Sequence, residues 1–134
     1  MMSCFCNTRW KTGARTNTTR CFSLKDGVID VRRRGDRIIL VRIVVGDSAV
    51  NMISAYAPQV GISESNKRQF WEDLDSMVST VPVSEKLLIG GDLNGHVGVT
   101  NVGFERVHGG FGYGSRSQEG EDVLNFAFDS EYRV

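Results

Sequence analysis

A chain of 134 residues, 40% hydrophobic and 9% aromatic, has the size of one domain and enough apolar side chains for a single modest core. Sixteen basic residues match sixteen acidic ones, so the net charge of zero points neither to a globally basic nucleic-acid binder nor to a disordered acidic segment. No apolar run is long enough to span a bilayer, which argues against a membrane as partner.

Residues 1–22 open the chain without an apolar period, and Lys11 to Cys21 is polar throughout, so this stretch is expected to be a degenerate, irregular segment ahead of a domain covering 23–134. Its cysteines, Cys4, Cys6 and Cys21, are odd in number and follow no disulfide framework. With no apolar signal-peptide core beside them, they suit a reducing intracellular compartment, nuclear or cytoplasmic. Cys4-Phe5-Cys6 lacks the two-residue gap of zinc knuckles, and neither His96 nor His108 sits at a matching distance, so zinc is not expected.

Charge is distributed unevenly along the chain. Residues 1–45 hold ten Lys/Arg against three Asp, a surplus of seven, and the remaining 89 residues cancel it. Such asymmetry can mark a basic face for phosphate beside an acidic one for metal, and it equally suits ordinary solvated surface.

Gly27 to Val31 and Arg37 to Val45 are rich in β-branched residues and separated by Gly35-Asp36, which predicts two strands. The second is apolar at nearly every position, as expected of a strand covered on both faces. Gly46-Asp47-Ser48 is a turn signal, and Ala49 to Ala57 continues as a strand until Pro58, so 37–57 reads as a hairpin. From an N-cap at Ser63 or Ser65, Phe70, Leu74, Met77, Val78 and Val81 recur at helical spacing up to Pro82. Lys86 to Gly90 is a short buried strand. The strand-helix-strand order predicts an α/β layer. Residues 95–118 carry seven glycines and are expected to be loop, followed by a helix over 121–128 with Val123, Leu124, Ala127 and Phe128 on its apolar side.

Chemistry concentrates in Gly90-Gly91-Asp92-Leu93-Asn94-Gly95, which follows directly on an apolar strand. Asp92 and Asn94 then stand two residues apart at a strand's C-terminal end, where ligand sites of open α/β sheets form. A carboxylate there can orient and deprotonate a water, an amide can donate to a phosphate oxygen, and glycines let backbone approach substrate. The same residues also make an ordinary turn sequence.

Ser54-Ala55-Tyr56-Ala57-Pro58, the helix with Phe70-Trp71, and Leu88-Ile89-Gly90-Gly91-Asp92-Leu93-Asn94 resemble, in order and spacing, the core of the endonuclease/exonuclease/phosphatase superfamily. Asp36 to Ile39, Gly95-His96-Val97-Gly98, Gly109 to Gly114 and the helix from Gly120 to Phe126 are similar to one branch of it, that of LINE-type retrotransposon endonucleases and craniofacial-development-protein-2-like proteins. The resemblance covers roughly residues 23–128 and implies a partial four-layer α/β sandwich, two packed sheets flanked by helices, truncated at both ends. It also implies a magnesium cofactor and a nucleic-acid partner. Asp92 would then activate the attacking water, Asn94 would contact the scissile phosphate and Tyr56 would supply a phenolic hydroxyl to it, so that Asn94 and Tyr56 are the phosphate-binding pair. The residue-level alternative for Tyr56 is an aromatic ring packed at a hairpin end. His96 reads as a supporting or surface histidine.

The sequence departs from that family in ways that bear on activity. Cys6-Asn7-Thr8-Arg9-Trp10 resembles a family motif in which a Glu, the principal magnesium ligand, stands where this chain has Asn7. A neutral carboxamide offers this hard cation one weak oxygen and no charge, so no residue is assigned as a metal ligand. The family's first strand, a long insert after Trp10 and a final Asp-His pair find no counterpart, and Arg116-Ser117 stands in place of Arg-Asn. The expectation is a phosphodiesterase-type domain with weak or no activity. The alternatives are a non-catalytic remnant with at most weak binding and a small interaction domain, and oligomeric state is left open.

Overall fold

A computed structural model describes residues 27–130 of the chain. The expected boundary at 22/23, the three cysteines and Asn7 lie outside the described residues.

Among the described residues, four strands and two helices follow in the order β1 (Val28–Arg34), β2 (Ile38–Val45), β3 (Ser48–Tyr56), α1 (Glu64–Ser79), β4 (Lys86–Asp92) and α2 (Gln118–Asp129). The strands form one sheet in the order β1-β2-β3-β4. The first three are antiparallel neighbours, and β4 lies parallel to β3 after the α1 crossover. The fold is thus mixed α/β and consistent with part of the expected sandwich; among the described residues there is one sheet.

Local sequence explains the corners. Val45 pairs with Ser48, leaving Gly46-Asp47 as a two-residue turn whose first position has φ 62° and so favours glycine. Ser63 is the N-cap of α1, its hydroxyl accepting the Asn66 N–H at 3.4 Å.

One sheet face holds Ile38 and Leu40 from β2, Ile53 and Ala55 from β3, and Leu87 and Ile89 from β4. Phe70, Leu74 and Met77 of α1 and Val123 of α2 bury against it, as the helical spacing requires. Arg42 also lies on this face, toward the end where α1 stops. Its guanidinium grips Glu85, with Nε 2.8 Å from Oε2, while the buried Asn51 amide donates to the same oxygen at 2.8 Å. The bonds from Arg42 and Asn51 hold the Glu85 carboxyl down at about 2.

On the other face, register aligns Val31, Val41, Met52 and Leu88 in one row across all four strands. Val31 and Met52 are 52% and 46% exposed. The expectation that β2 is covered on both faces is therefore corrected in part among the described residues: on this face Ile43 is buried, Ile39 and Val41 are half-buried and Val45 is exposed. A second sheet would cover such a row, and no described residue belongs to one. No described helix is long and apolar enough to cross a membrane.

Candidate functional site

Because β3 and β4 are parallel, both end at the same rim of the sheet. Tyr56, last in β3, is the register partner of Asp92, last in β4, and the Ala57 N–H donates to the Asp92 carbonyl at 2.9 Å to extend the ladder one step. The strand runs two residues beyond the expected Gly90, since β3 continues to offer backbone partners to Gly90, Gly91 and Asp92.

Gly91 has φ 141°, and a Cβ there would collide with the Ala55 carbonyl, so the tight approach of β4 to β3 needs this residue. One step on, the Asp92 carboxylate accepts the Asn94 N–H at 3.0 Å, the local bond that makes Asx residues good corner formers. Asn94 is left-handed at φ 50°, the sole non-glycine residue in that region among those described, and asparagine tolerates it best. Its Nδ2 donates to the Ala57 carbonyl at 2.7 Å, tying the corner back to the end of β3. Leu93, buried between the two polar residues, anchors the turn in the core.

Sequence reasoning singled out Asp92, Asn94 and Tyr56, and all three gather at this rim; Asp92 and Asn94 are half-buried and Tyr56 is exposed. It missed two neighbours. Gln59 Nε2 lies 3.1 Å from the Tyr56 hydroxyl oxygen and donates to it, which leaves the phenolic hydrogen to be given elsewhere. The Arg37 guanidinium lies 5.5 Å from the centre of the Tyr56 ring, and its Nη1 donates to the Tyr56 carbonyl at 3.4 Å. Arg37 could have been found, since the hairpin register that sets Ile38 opposite Ala55 brings the preceding residue beside Tyr56. Nothing in the sequence points to Gln59.

The segment after the corner is seated on α2. The Ser117 hydroxyl accepts the Gly120 N–H at 3.1 Å as N-cap and the His96 N–H at 3.2 Å. A Cβ on Gly120 would meet the His96 carbonyl, and one on Gly95 would meet the Glu119 backbone, so loop and helix touch backbone to backbone. The His96 residue is exposed, in keeping with a supporting or surface role. His108 is the buried histidine: Nδ1 accepts the Gly110 N–H at 2.8 Å, which leaves Nε2 as donor to the Gly98 carbonyl at 3.1 Å. Arg116 adds bonds to the Val97 and Thr100 carbonyls and stacks on Phe104, so polar side chains order the glycine-rich stretch.

Chemically the rim offers the Asp92 carboxylate, an amide with a second N–H to donate, a phenol and the Arg37 guanidinium, whose Nε also lies 3.9 Å from the exposed Asp36 carboxylate. The amide, phenol and guanidinium are hydrogen-bond donors, able to meet an acceptor oxygen. A magnesium ion would find the Asp92 carboxylate here, with Asp36 exposed beside Arg37, and no group of three His, Cys, Asp or Glu side chains gathers as a metal site among the described residues. Since magnesium takes one or two carboxylates plus water and substrate phosphate, these residues alone do not make its site.

No protein-family profile matches the chain. No solved structure matches it. Among curated proteins, it is 28% identical to craniofacial development protein 2 of Bos taurus over 103 residues, 77% of this chain and 17% of that protein. It is 26% identical to craniofacial development protein 2 of Tragulus javanicus over 103 residues, 18% of that relative. The chain is thus distantly similar to craniofacial development protein 2 and spans less than a fifth of that protein's length.

Proposed function

We propose that the rim formed by Tyr56, Asp92 and Asn94 is the phosphate-facing part of a phosphodiesterase site of the endonuclease/exonuclease/phosphatase kind, and that its ligand is a nucleic-acid backbone. In this reading the Asn94 amide and the Tyr56 hydroxyl donate to non-bridging phosphate oxygens, Arg37 adds positive charge beside them, and Asp92 faces the attacking water. The supporting observation is that two parallel strands end together and present these three side chains at one rim, a carboxylate and an amide from the same glycine corner.

Magnesium is the expected cofactor of the intact enzymes, where it supplies Lewis-acid chemistry at the phosphate. In this chain the residue that resembles the metal's principal carboxylate is Asn7. Groups that act as a unit fail together, so backbone binding outlasts cleavage, and the chain cuts weakly or not at all. A nucleic-acid ligand fits residence in the nucleus or cytoplasm.

A second reading, a non-catalytic remnant with at most weak nucleic-acid or protein binding, is favoured by Asn7 and by the lack of a counterpart to the family's Asp-His pair. A plasmid-nicking assay with Mg²⁺ on the unmodified chain, Asp92→Ala and Asn7→Glu separates the two. No nicking above the Asp92→Ala background is expected of the unmodified chain. Asp92-dependent nicking gained in Asn7→Glu supports the phosphodiesterase reading, and its absence there favours the remnant.

A further inference from the structure

Between α1 and α2 runs an open groove of about 470 Å³ to which no residue of the rim contributes. Its floor is aromatic: Trp71 and Phe126, both half-buried, stand 5.4 Å apart with their planes at 34°. Its walls are acidic, with Glu64, Glu72 and Asp75 from α1 and Asp122 and Asp129 from α2. Two cations join them. Lys67 is committed to Glu64 at 2.9 Å and Glu119 at 3.2 Å, which leaves Arg68 against a surplus of carboxylates.

The arrangement of these charges selects the ligand. They follow the helical repeat along each wall instead of converging, and no three of them meet as a metal site. A single metal ion is poorly matched; cations spaced along an extended chain are well matched. Neither helix has a basic residue in its last turn, and Asp129 closes α2, where it adds to the negative end of that helix's dipole. Helix stability alone would favour the opposite sign there. Trp71 and Phe126 line the groove beside these carboxylates, and aromatic rings favour a planar guanidinium over a lysine ammonium.

We infer that this groove docks an extended, arginine-containing segment of a partner protein, its guanidinium groups lying over Trp71 and Phe126 and between the carboxylates of α1 and α2. The sign of the groove opposes phosphate, so this surface is separate from the rim and its test is independent of nuclease activity.

The test is fluorescence anisotropy of a short labelled peptide alternating arginine and serine, titrated with the full chain. Saturable binding is expected, weakened about tenfold or more by Asp122→Lys with Asp129→Lys, and about threefold when lysine replaces arginine in the peptide. Glu72→Lys with Asp75→Lys reads the opposite wall should the first pair fail to fold by circular dichroism. Asp47→Lys with Glu105→Lys makes the same change in net charge outside the groove and is expected to alter affinity by less than about twofold. Equal weakening by the control pair, unchanged binding in the groove variants, or no binding by the full chain would each overturn the assignment.

Discussion

Tyr56 and Asp92 are register partners at the ends of two parallel strands. This pairing puts a phenol and a carboxylate at one rim although 36 positions separate them in the sequence. Gly91, beside Asp92, is what allows the strands to approach there. Gly91→Ala would bring a Cβ onto the Ala55 carbonyl at a backbone angle unfavourable to alanine. The expected loss is on the order of 1–3 kcal/mol, measured by urea unfolding. An unchanged midpoint would contradict the close approach of β4 to β3.

Leu74 is fully buried between α1 and the sheet. Leu74→Ala is expected to cost about 2–5 kcal/mol, the range for deleting a buried leucine side chain. Val83→Ala, at a site 93% exposed, should stay within about 0.5 kcal/mol of the unmodified chain. Equal effects of the two changes in denaturant titrations would refute the assignment of the core.

Glu85 ties pH to stability. Its carboxyl is lowered from 4.5 to about 2, first by the Arg42 hydrogen bond and then by Asn51. A carboxyl whose folded value is depressed stabilises the fold above its unfolded value and loses that contribution as pH falls through the folded one. Stability should therefore fall between pH 4.5 and about 2, and Glu85→Gln should flatten this part of the curve. Thermal melts of both proteins across that interval measure the difference. Parallel curves would exclude Glu85 as a source of the dependence.

Ser117 both caps α2 and holds the loop that follows the corner. Ser117→Ala is expected to lower stability by about 1 kcal/mol and to speed amide exchange at His96 and Gly120 together. Faster exchange at Gly120 alone would mean that the loop is held by other contacts.

Much of this layout was legible because local pattern and tertiary packing agree. The β-branched run at 38–45, the Gly46-Asp47 turn and Pro58 mark the hairpin, and Phe70, Leu74 and Met77 mark the buried side of α1. The Asp92–Asn94 corner was legible for the same reason, as a polar pair between glycines after an apolar strand. Where contacts between distant residues decide, the pattern fails. Arg32, Arg33 and Arg34 do not look like a strand, yet β1 extends through them because β2 offers partners and Arg34 reaches Asp73 at 3.0 Å. The apolar pattern starts α2 at 121, three residues late, because Gly120, a poor helix former, is kept in the first turn by its close approach to the His96 carbonyl. Arg116 and the Nε2 of His108 gave no local sign that they would order the glycine-rich loop, since their carbonyl partners are 10 to 19 residues away.

The most direct measurement on the rim is a two-dimensional NMR titration of the isotope-labelled chain with a short DNA duplex. Saturating shifts of the Asn94 side-chain amide and of the Gly91 to Gly95 backbone amides are expected, with affinity reduced in Tyr56→Phe and Arg37→Ala and falling with added salt. Shifts confined to other surfaces, or none at duplex concentrations that saturate weak nonspecific binders, would contradict a phosphodiester at this corner.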